Sequence, residues 1–124
     1  MSGMSVSQDL QIYTTCPQSK DFERRDYVRC AIDVAQWSEE LNCQGMLIYT
    51  DNGLVDPWGL AQIIIQNTNS LAPLVAVQPV YMHPYWLAKQ ISTIAYLHER
   101  PVALNMLAGG FKNDLAAQIG RAHV

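Results

Sequence analysis

The sequence predicts an α/β chain of order β-α-β-α-β-α-β with all strands parallel. Three observations carry this. Four short β-prone runs recur along 124 residues. Between them lie segments whose apolar residues repeat at helical spacing. Each intervening segment is long enough to carry the chain back for a parallel crossover.

The elements follow in order. Residues 1–8 are rich in Ser, Gly and Met and are expected to fray. Leu10 to Thr15 alternates apolar and polar residues and reads as the first strand. A polar stretch from Cys16 to Asp21 leads into a helix from about Phe22. Its predicted buried face is Ala31, Val34, Ala35, Ser38 and Leu41, opposite Arg29, Asp33, Gln36 and Glu40. Asn42 to Gly45 carries helix-ending and turn residues. Met46 to Thr50 is a buried-type strand, followed by turn chemistry at Asp51-Asn52-Gly53. Asp56-Pro57 reads as an N-cap with proline at the first helical position. Leu60, Ala61, Ile64 and Ile65 form the stripe of that helix, and Asn67 to Ser70 stops it. Leu74 to Val77 is a continuous apolar strand, ended by Pro79. His83-Pro84 opens a third helix with Leu87, Ala88, Ile91, Ile94 and Ala95 buried, and Arg100-Pro101 closes it. Val102 to Leu107 is the fourth strand, ending in Ala108-Gly109-Gly110, and Asn113 or Asp114 would cap a fourth helix.

Composition narrows the function. Eight Lys and Arg against eleven Asp and Glu leave a formal charge of -3, with no basic stripe for nucleic acid. No apolar run reaches the ~20 residues of a membrane span, and no signal-peptide pattern opens the chain. A cytoplasmic enzyme-like domain is therefore expected. The three cysteines lack the spacing of a zinc site or a disulfide framework. Cys30 is expected to be a small buried hydrophobe, and Cys43 lies in a turn. Cys16 follows a strand, so it is the cysteine placed where chemistry can occur.

Two architectures fit a parallel β-α repeat: a doubly wound sheet, and a (β/α)8 barrel cut in half, since a whole barrel needs about 250 residues. No GxGxxG follows the first strand, where Thr14-Thr15-Cys16-Pro17-Gln18 stands, and no P-loop occurs. The absence favours the barrel. In a barrel the C-terminal strand ends form the ligand face. Thr50, Asp51, Gln78, Asn105, Gly109 and Gly110 fall there. Asn105 can donate and accept at once, which suits a heteroaromatic edge, and Gly109-Gly110 lets backbone approach a flat ligand. The same residues also read as a structural amide and a plain glycine turn. Gln78 carries the same two readings. His83 and Asp56 read as helix caps, His98 as a surface or partly buried residue, and Trp37, Trp58 and Trp86 as core or subunit packing. No paired carboxylates, Ser/His/Asp arrangement or metal cluster assembles, so redox chemistry would come from a cofactor.

Gly45 to Thr50, Asp56-Pro57-Trp58, Leu74 to Pro79 with His83-Pro84, and Leu104 to Gly110 together resemble the luciferase-like flavin-dependent monooxygenases, in particular the alkanesulfonate monooxygenase branch. The resemblance covers residues 10–118. It implies the N-terminal half of a (β/α)8 TIM barrel that uses reduced flavin (FMN) and O2 to oxygenate a small organic substrate. It places Ala76, Val77 and Gln78 beside the flavin, with a cis peptide in that stretch. It also implies that Asn105, Gly109 and Gly110 contact the flavin. Cys16, Thr50 and Leu54 are expected on the substrate side. The family's catalytic His and Arg and its phosphate site belong to the second barrel half, so this chain alone is expected to be inactive. A deazaflavin (F420)-dependent dehydrogenase of the same fold, or a non-catalytic α/β binding module, is the alternative. A flavin reductase is a possible partner, and the full-length protein is expected to be a homo-oligomer. Two departures stand out. Leu54 occupies a position where the alkanesulfonate branch carries cysteine, and Gln78-Pro79-Val80 replaces its Arg-Pro-Gly run. The missing cation argues for a less charged substrate.

Residues 119–124, Ile-Gly-Arg-Ala-His-Val, fit no helix stripe and read as the translation of a common sequencing-adapter sequence. Gln118 is then the last native residue, which leaves residues 1–118 as a partial luciferase-like domain and gives Arg121 and His123 no role.

Overall fold

A computed structural model describes residues 10–107. The order is β1 (Tyr13–Thr15), α1 (Arg24–Glu40), β2 (Gly45–Ile48), α2 (Pro57–Gln66), β3 (Ala72–Val77), α3 (Pro84–His98) and β4 (Ala103–Met106). Every pairing is parallel, and the strands lie in the sheet in chain order, β1-β2-β3-β4. Doubly wound sheets reverse their strand order at a switch point. This sheet does not reverse, so it advances as a barrel wall does.

The elements match the expected order with shifted ends. β1 is shorter than expected because the chain pairs with β2 only from Tyr13 onward. Two short 3-10 turns, Ser19–Asp21 and Pro79–Tyr81, occupy stretches expected to be loops. β3 begins earlier and includes Pro73, which precedes the residue where pairing with β4 starts, so β4 asks no donor of it. The peptide bonds are all trans among the described residues, which corrects the cis bond expected near Ala76 to Gln78.

Local chemistry explains the element ends. Asp56 caps α2 by accepting from the Trp58 N–H at 3.1 Å, with Pro57 at the first helical position. His83 caps α3 through Nδ1, which accepts from the Tyr85 N–H at 3.1 Å. α1 ends where Asn42 turns left-handed, at φ 63°.

The pleat sorts the strand residues into two sets. Met46 and Ile48 of β2 and Val75 and Val77 of β3 enter one apolar core with Ala31, Ala35, Ala61, Ile64 and Ile94 of the helices. Thr14 faces the same way, since its hydroxyl meets that of Ser38 on α1 at 2.6 Å. Leu104, in register with Val75, packs against this core too. The alternate set is Leu47, Leu74, Ala76, Ala103 and Asn105. These residues share the opposite face, which the described helices leave uncovered. Gly45 is fixed by this geometry. A Cβ there would strike the Ala72 carbonyl oxygen and stand 2.8 Å from the Tyr13 ring.

Some predicted faces need correction. Leu41 is exposed because the helix has already begun to end there. On α3 only Ile94 is fully buried, Leu87 and Ile91 are half-buried, and Ala88 and Ala95 are exposed. α3 leads to β4, the last described strand, so its far flank has no described neighbour. Cys30 is half-buried. Trp58 is in the core, whereas Trp37 and Trp86 are exposed.

Two charged side chains fix the connection from α2 to β3. The Glu39 carboxylate accepts from the backbone N–H groups of Asn69, Ser70 and Leu71, at 2.6–3.0 Å. The buried Arg100 guanidinium donates to the carbonyls of Ile65, Thr68 and Leu71 and to the Thr68 hydroxyl, at 2.6–3.2 Å. One side chain satisfies the donors of the connection and the other its acceptors, which a helix C-terminus would otherwise leave unpaired. Burial would raise the Glu39 pKa, but the Ser70, Asn69 and Leu71 N–H groups outweigh it and hold the carboxyl below its usual range. The stabilisation is therefore full above the unfolded carboxylate range and is lost as pH falls through the lower folded value. Glu39→Gln should cost about 1–2 kcal/mol at neutral pH, allowing for a half-exposed group. Urea unfolding at pH 7 and in acid checks this, because the gap between the two proteins should close in acid. A constant gap would contradict the ionic reading.

Candidate functional site

Parallel strands bring their C-terminal ends to one end of the sheet, and the loops that follow them build the candidate site. A cleft of about 180 Å³ opens between the ends of β2 and β3. Thr50, Asp51 and Asn52 form one wall, and Ala76, Val77 and Gln78 form another. Asp56, Pro57 and Trp58 at the start of α2, with Tyr81 and Met82 after β3, complete it. Gln78 is buried, and its carbonyl accepts from the Tyr81 N–H at 3.0 Å to close the 3-10 turn.

Five of the sequence-predicted residues thus share one cleft: Thr50, Asp51, Ala76, Val77 and Gln78. Asn105 stands across the β3–β4 ladder from Ala76, in register and on the same uncovered face. Ala76, small and buried, contributes only a methyl group beside the Asn105 amide. Gly109 and Gly110 lie outside the described residues.

Cys16 and Leu54 are brought together elsewhere. They line a cavity of only about 10 Å³ with Tyr27, Ile48, Tyr49 and Leu60, enough for no more than a water molecule. The Cys16 Sγ lies 3.9 Å from the Tyr27 hydroxyl, which donates to the Pro17 carbonyl at 2.8 Å. Burial pushes the Cys16 thiol up to about 11, against a smaller lowering by the Tyr27 hydrogen bond. Burial thus outweighs the one neighbour that favours the thiolate, and Cys16 is held as a thiol.

The cleft also contains residues that the sequence reading did not assign to it. Tyr81 and Met82 follow β3 in a turn with no motif of its own. Trp58 was read as packing, and it does pack, while one side of it lines the cleft. Its place after the Asp56-Pro57 cap was the available signal, because a helix N-terminus in a β-α repeat points to the ligand end. Both carboxylates in the cleft already have structural partners. Asp51 accepts from the Gly53 N–H at 2.7 Å, and Asp56 caps α2. No group of three or more His, Cys, Asp or Glu side chains is placed to hold a metal among the described residues. The cleft and its flank therefore offer amides, hydroxyls and aromatic surface. Such a set orients a polar heteroaromatic ligand, with the reactive chemistry left to the ligand.

No family model matches the chain. Over 113 residues, 90% of its length, it is 30% identical to the monooxygenase BtrO of Niallia circulans, whose name gives it a 4-(gamma-L-glutamylamino)butanoyl group on the BtrI acyl-carrier protein. Among solved structures, EDTA monooxygenase (EmoA) from Chelativorans sp. BNC1 superposes with a TM-score of 0.61 at 18% identity, over 90% of the chain. That likeness shows the fold. The chain spans about one third of each relative, 33% of BtrO and 32% of EmoA.

The Cys16 geometry gives a test within the chain. At pH 8 a thiol with a pKa near 11 is ionised about once in a thousand molecules, and only thiolate alkylates readily. Iodoacetamide labelling followed by mass spectrometry should therefore modify Cys16 last, after the half-buried Cys30 and Cys43. Early modification of Cys16 would contradict its placement.

Proposed function

We propose that this chain forms the first four β-α units of a TIM-barrel, flavin-dependent monooxygenase acting on a small organic substrate. The observation that carries the reading is the parallel sheet in chain order, with Ala76 and Asn105 adjacent on its uncovered face and Gln78 at its C-terminal end. Identity of 30% to a monooxygenase over nearly the whole chain supports it.

The residues present fit one side of a flavin. Ala76 leaves room for a planar ring, and the Asn105 and Gln78 amides provide both donors and acceptors for its heteroatom edge. The Val77 side chain is in the core, so only its backbone borders the proposed ring site, and Gly109 and Gly110, beyond the described residues, complete the proposed contacts. Bound reduced FMN would supply the electrons with which O2 is activated. The chain's own contribution is orientation: the amides fix the ring, and Trp58, Tyr81 and Met82 restrict water at the cleft. Thr50 lies in the same cleft and is proposed for the substrate side. Cys16 and Leu54 are proposed for the substrate side too, from the small cavity they share. The monooxygenase names of both relatives favour flavin and O2 over F420 and hydride transfer. Residues 119–124 are proposed to be non-native.

Substrate charge follows from the side chains. Gln78 is neutral, and the two carboxylates of the cleft do not welcome a permanent anion. The gene's complete reading frame, expressed with a flavin reductase under 18O2, provides the test. Its kcat/KM should favour a neutral substrate over an alkanesulfonate of similar size, with 18O in the product. Preference for the sulfonate would overturn the substrate reading. Substrate oxidation coupled to reduction of oxidised F420, without O2, would overturn the monooxygenase reading.

A further inference from the structure

A hollow larger than the cleft at the strand ends lies elsewhere. It is a groove of about 620 Å³ on the outer, helical side, between the start of α1, the loop before α2 and α2 itself. This volume lies in the range of small-molecule sites, about 300–1,000 Å³. Phe22, Tyr27, Val28, Val55, Leu60 and Ile63 line it. Three of these, Phe22, Val28 and Val55, are 40–46% exposed, so the groove presents apolar carbon to solvent. Lys20 and Arg24 stand at its rim.

The charges there are uneven. Among the described residues neither Lys20 nor Arg24 has a side-chain hydrogen bond or ion pair. The one carboxylate that lines the groove, Asp56, is engaged in capping α2. Arg24 is also the first residue of α1, where the helix dipole disfavours a cation, so helix stability does not account for it. An apolar body and a single anionic head would complement this groove in shape and charge.

We propose that the groove between α1 and α2 binds an apolar monocarboxylate, its hydrocarbon part against Phe22, Val28, Val55 and Ile63 and its carboxylate toward Lys20 and Arg24. The groove shares only Asp56 with the strand-end cleft, and the proposal does not depend on the monooxygenase reading. Ser19, Tyr27, Val55 and Leu60 line both the groove and the small cavity that holds Cys16, and the Val55 N–H donates to the Ser19 hydroxyl at 3.2 Å across the two loops. Occupancy would therefore brace the β1–α1 and β2–α2 loops against each other.

Gly59 makes the test clean. It lies on α2 at the groove, and a Cβ added there meets nothing within 4 Å. Gly59→Phe is designed to place a ring in the groove from a position where the Cβ itself meets nothing, and Gly59→Ala controls for the loss of glycine in a helix. Calorimetric titration of the 124-residue chain with decanoate below its micellar range should show saturable binding at one site. Gly59→Ala should bind as the parent does, and Gly59→Phe should lose binding. Lys20→Glu with Arg24→Glu should weaken decanoate at least tenfold, and 1-decanol should bind the parent at least tenfold more weakly than decanoate. Circular dichroism confirms that the variants fold. Non-saturable uptake, equal binding of acid and alcohol, or unchanged binding in Gly59→Phe would overturn the proposal. So would a dimer in sedimentation that Gly59→Phe dissociates, because the groove would then belong to a second copy.

Discussion

Strands that all run the same way need a crossover between each pair, and here the described crossovers land on one face of the sheet. The core records this choice. β2 and β3 give it only Met46, Ile48, Val75 and Val77, the residues of one pleat parity. The other parity, with Leu74, Ala76 and Asn105, is left without a described helical cover. A sheet that buries its second face by closing on itself, as a barrel does, meets this constraint, whereas a doubly wound sheet would place helices there. The uncovered face and the C-terminal strand ends are therefore proposed together as the place for a ligand.

The two ends of the sheet do different work. At the N-terminal end of β3, Glu39 and Arg100 hold the connection from α2 by its donors and its acceptors. These are strong, charge-assisted contacts made to backbone, and they fix where β3 begins. At the opposite end, Asp51, Asp56 and His83 use their polar atoms on turns and caps, while Thr50, Gln78 and Tyr81 border the cleft. Charge-assisted contacts thus hold one end and the proposed ligand cleft lies at the other, the division expected of barrel units.

Much of the fold was legible because local signals agreed with it. Asp56-Pro57 and His83-Pro84 announced helix starts that the structure confirms atom by atom. Asn42 marked the end of α1, and Pro79 the end of β3. The strand order was not legible, since a β-α repeat alone suits both a barrel and a doubly wound sheet, and only pairing distinguishes them. Leu41 and Ala95 were misread as buried because periodicity gives a face but not how far the neighbouring element extends. The cleft was half legible. Thr50 and Gln78 stand at strand ends, but Tyr81 and Met82 enter it through a 3-10 turn that no motif marks. The Glu39 and Arg100 clamp was missed altogether, because its partners are backbone atoms some thirty residues away in sequence.

The assignment of ligand chemistry to one face of the sheet can be measured on a single strand. Leu104 and Asn105 are neighbours on β4 that point to opposite faces, Leu104 toward the core and Asn105 away from it. FMN titration of the protein expressed from the gene's complete reading frame should show weaker binding for Asn105→Ala, by about 1–3 kcal/mol for a lost contact to a buried partner. Leu104→Ala should lower the unfolding midpoint and leave the FMN Kd within twofold of the parent. An Asn105→Ala protein with unchanged affinity and an intact fold, or an equal loss of affinity in both variants, would contradict the account.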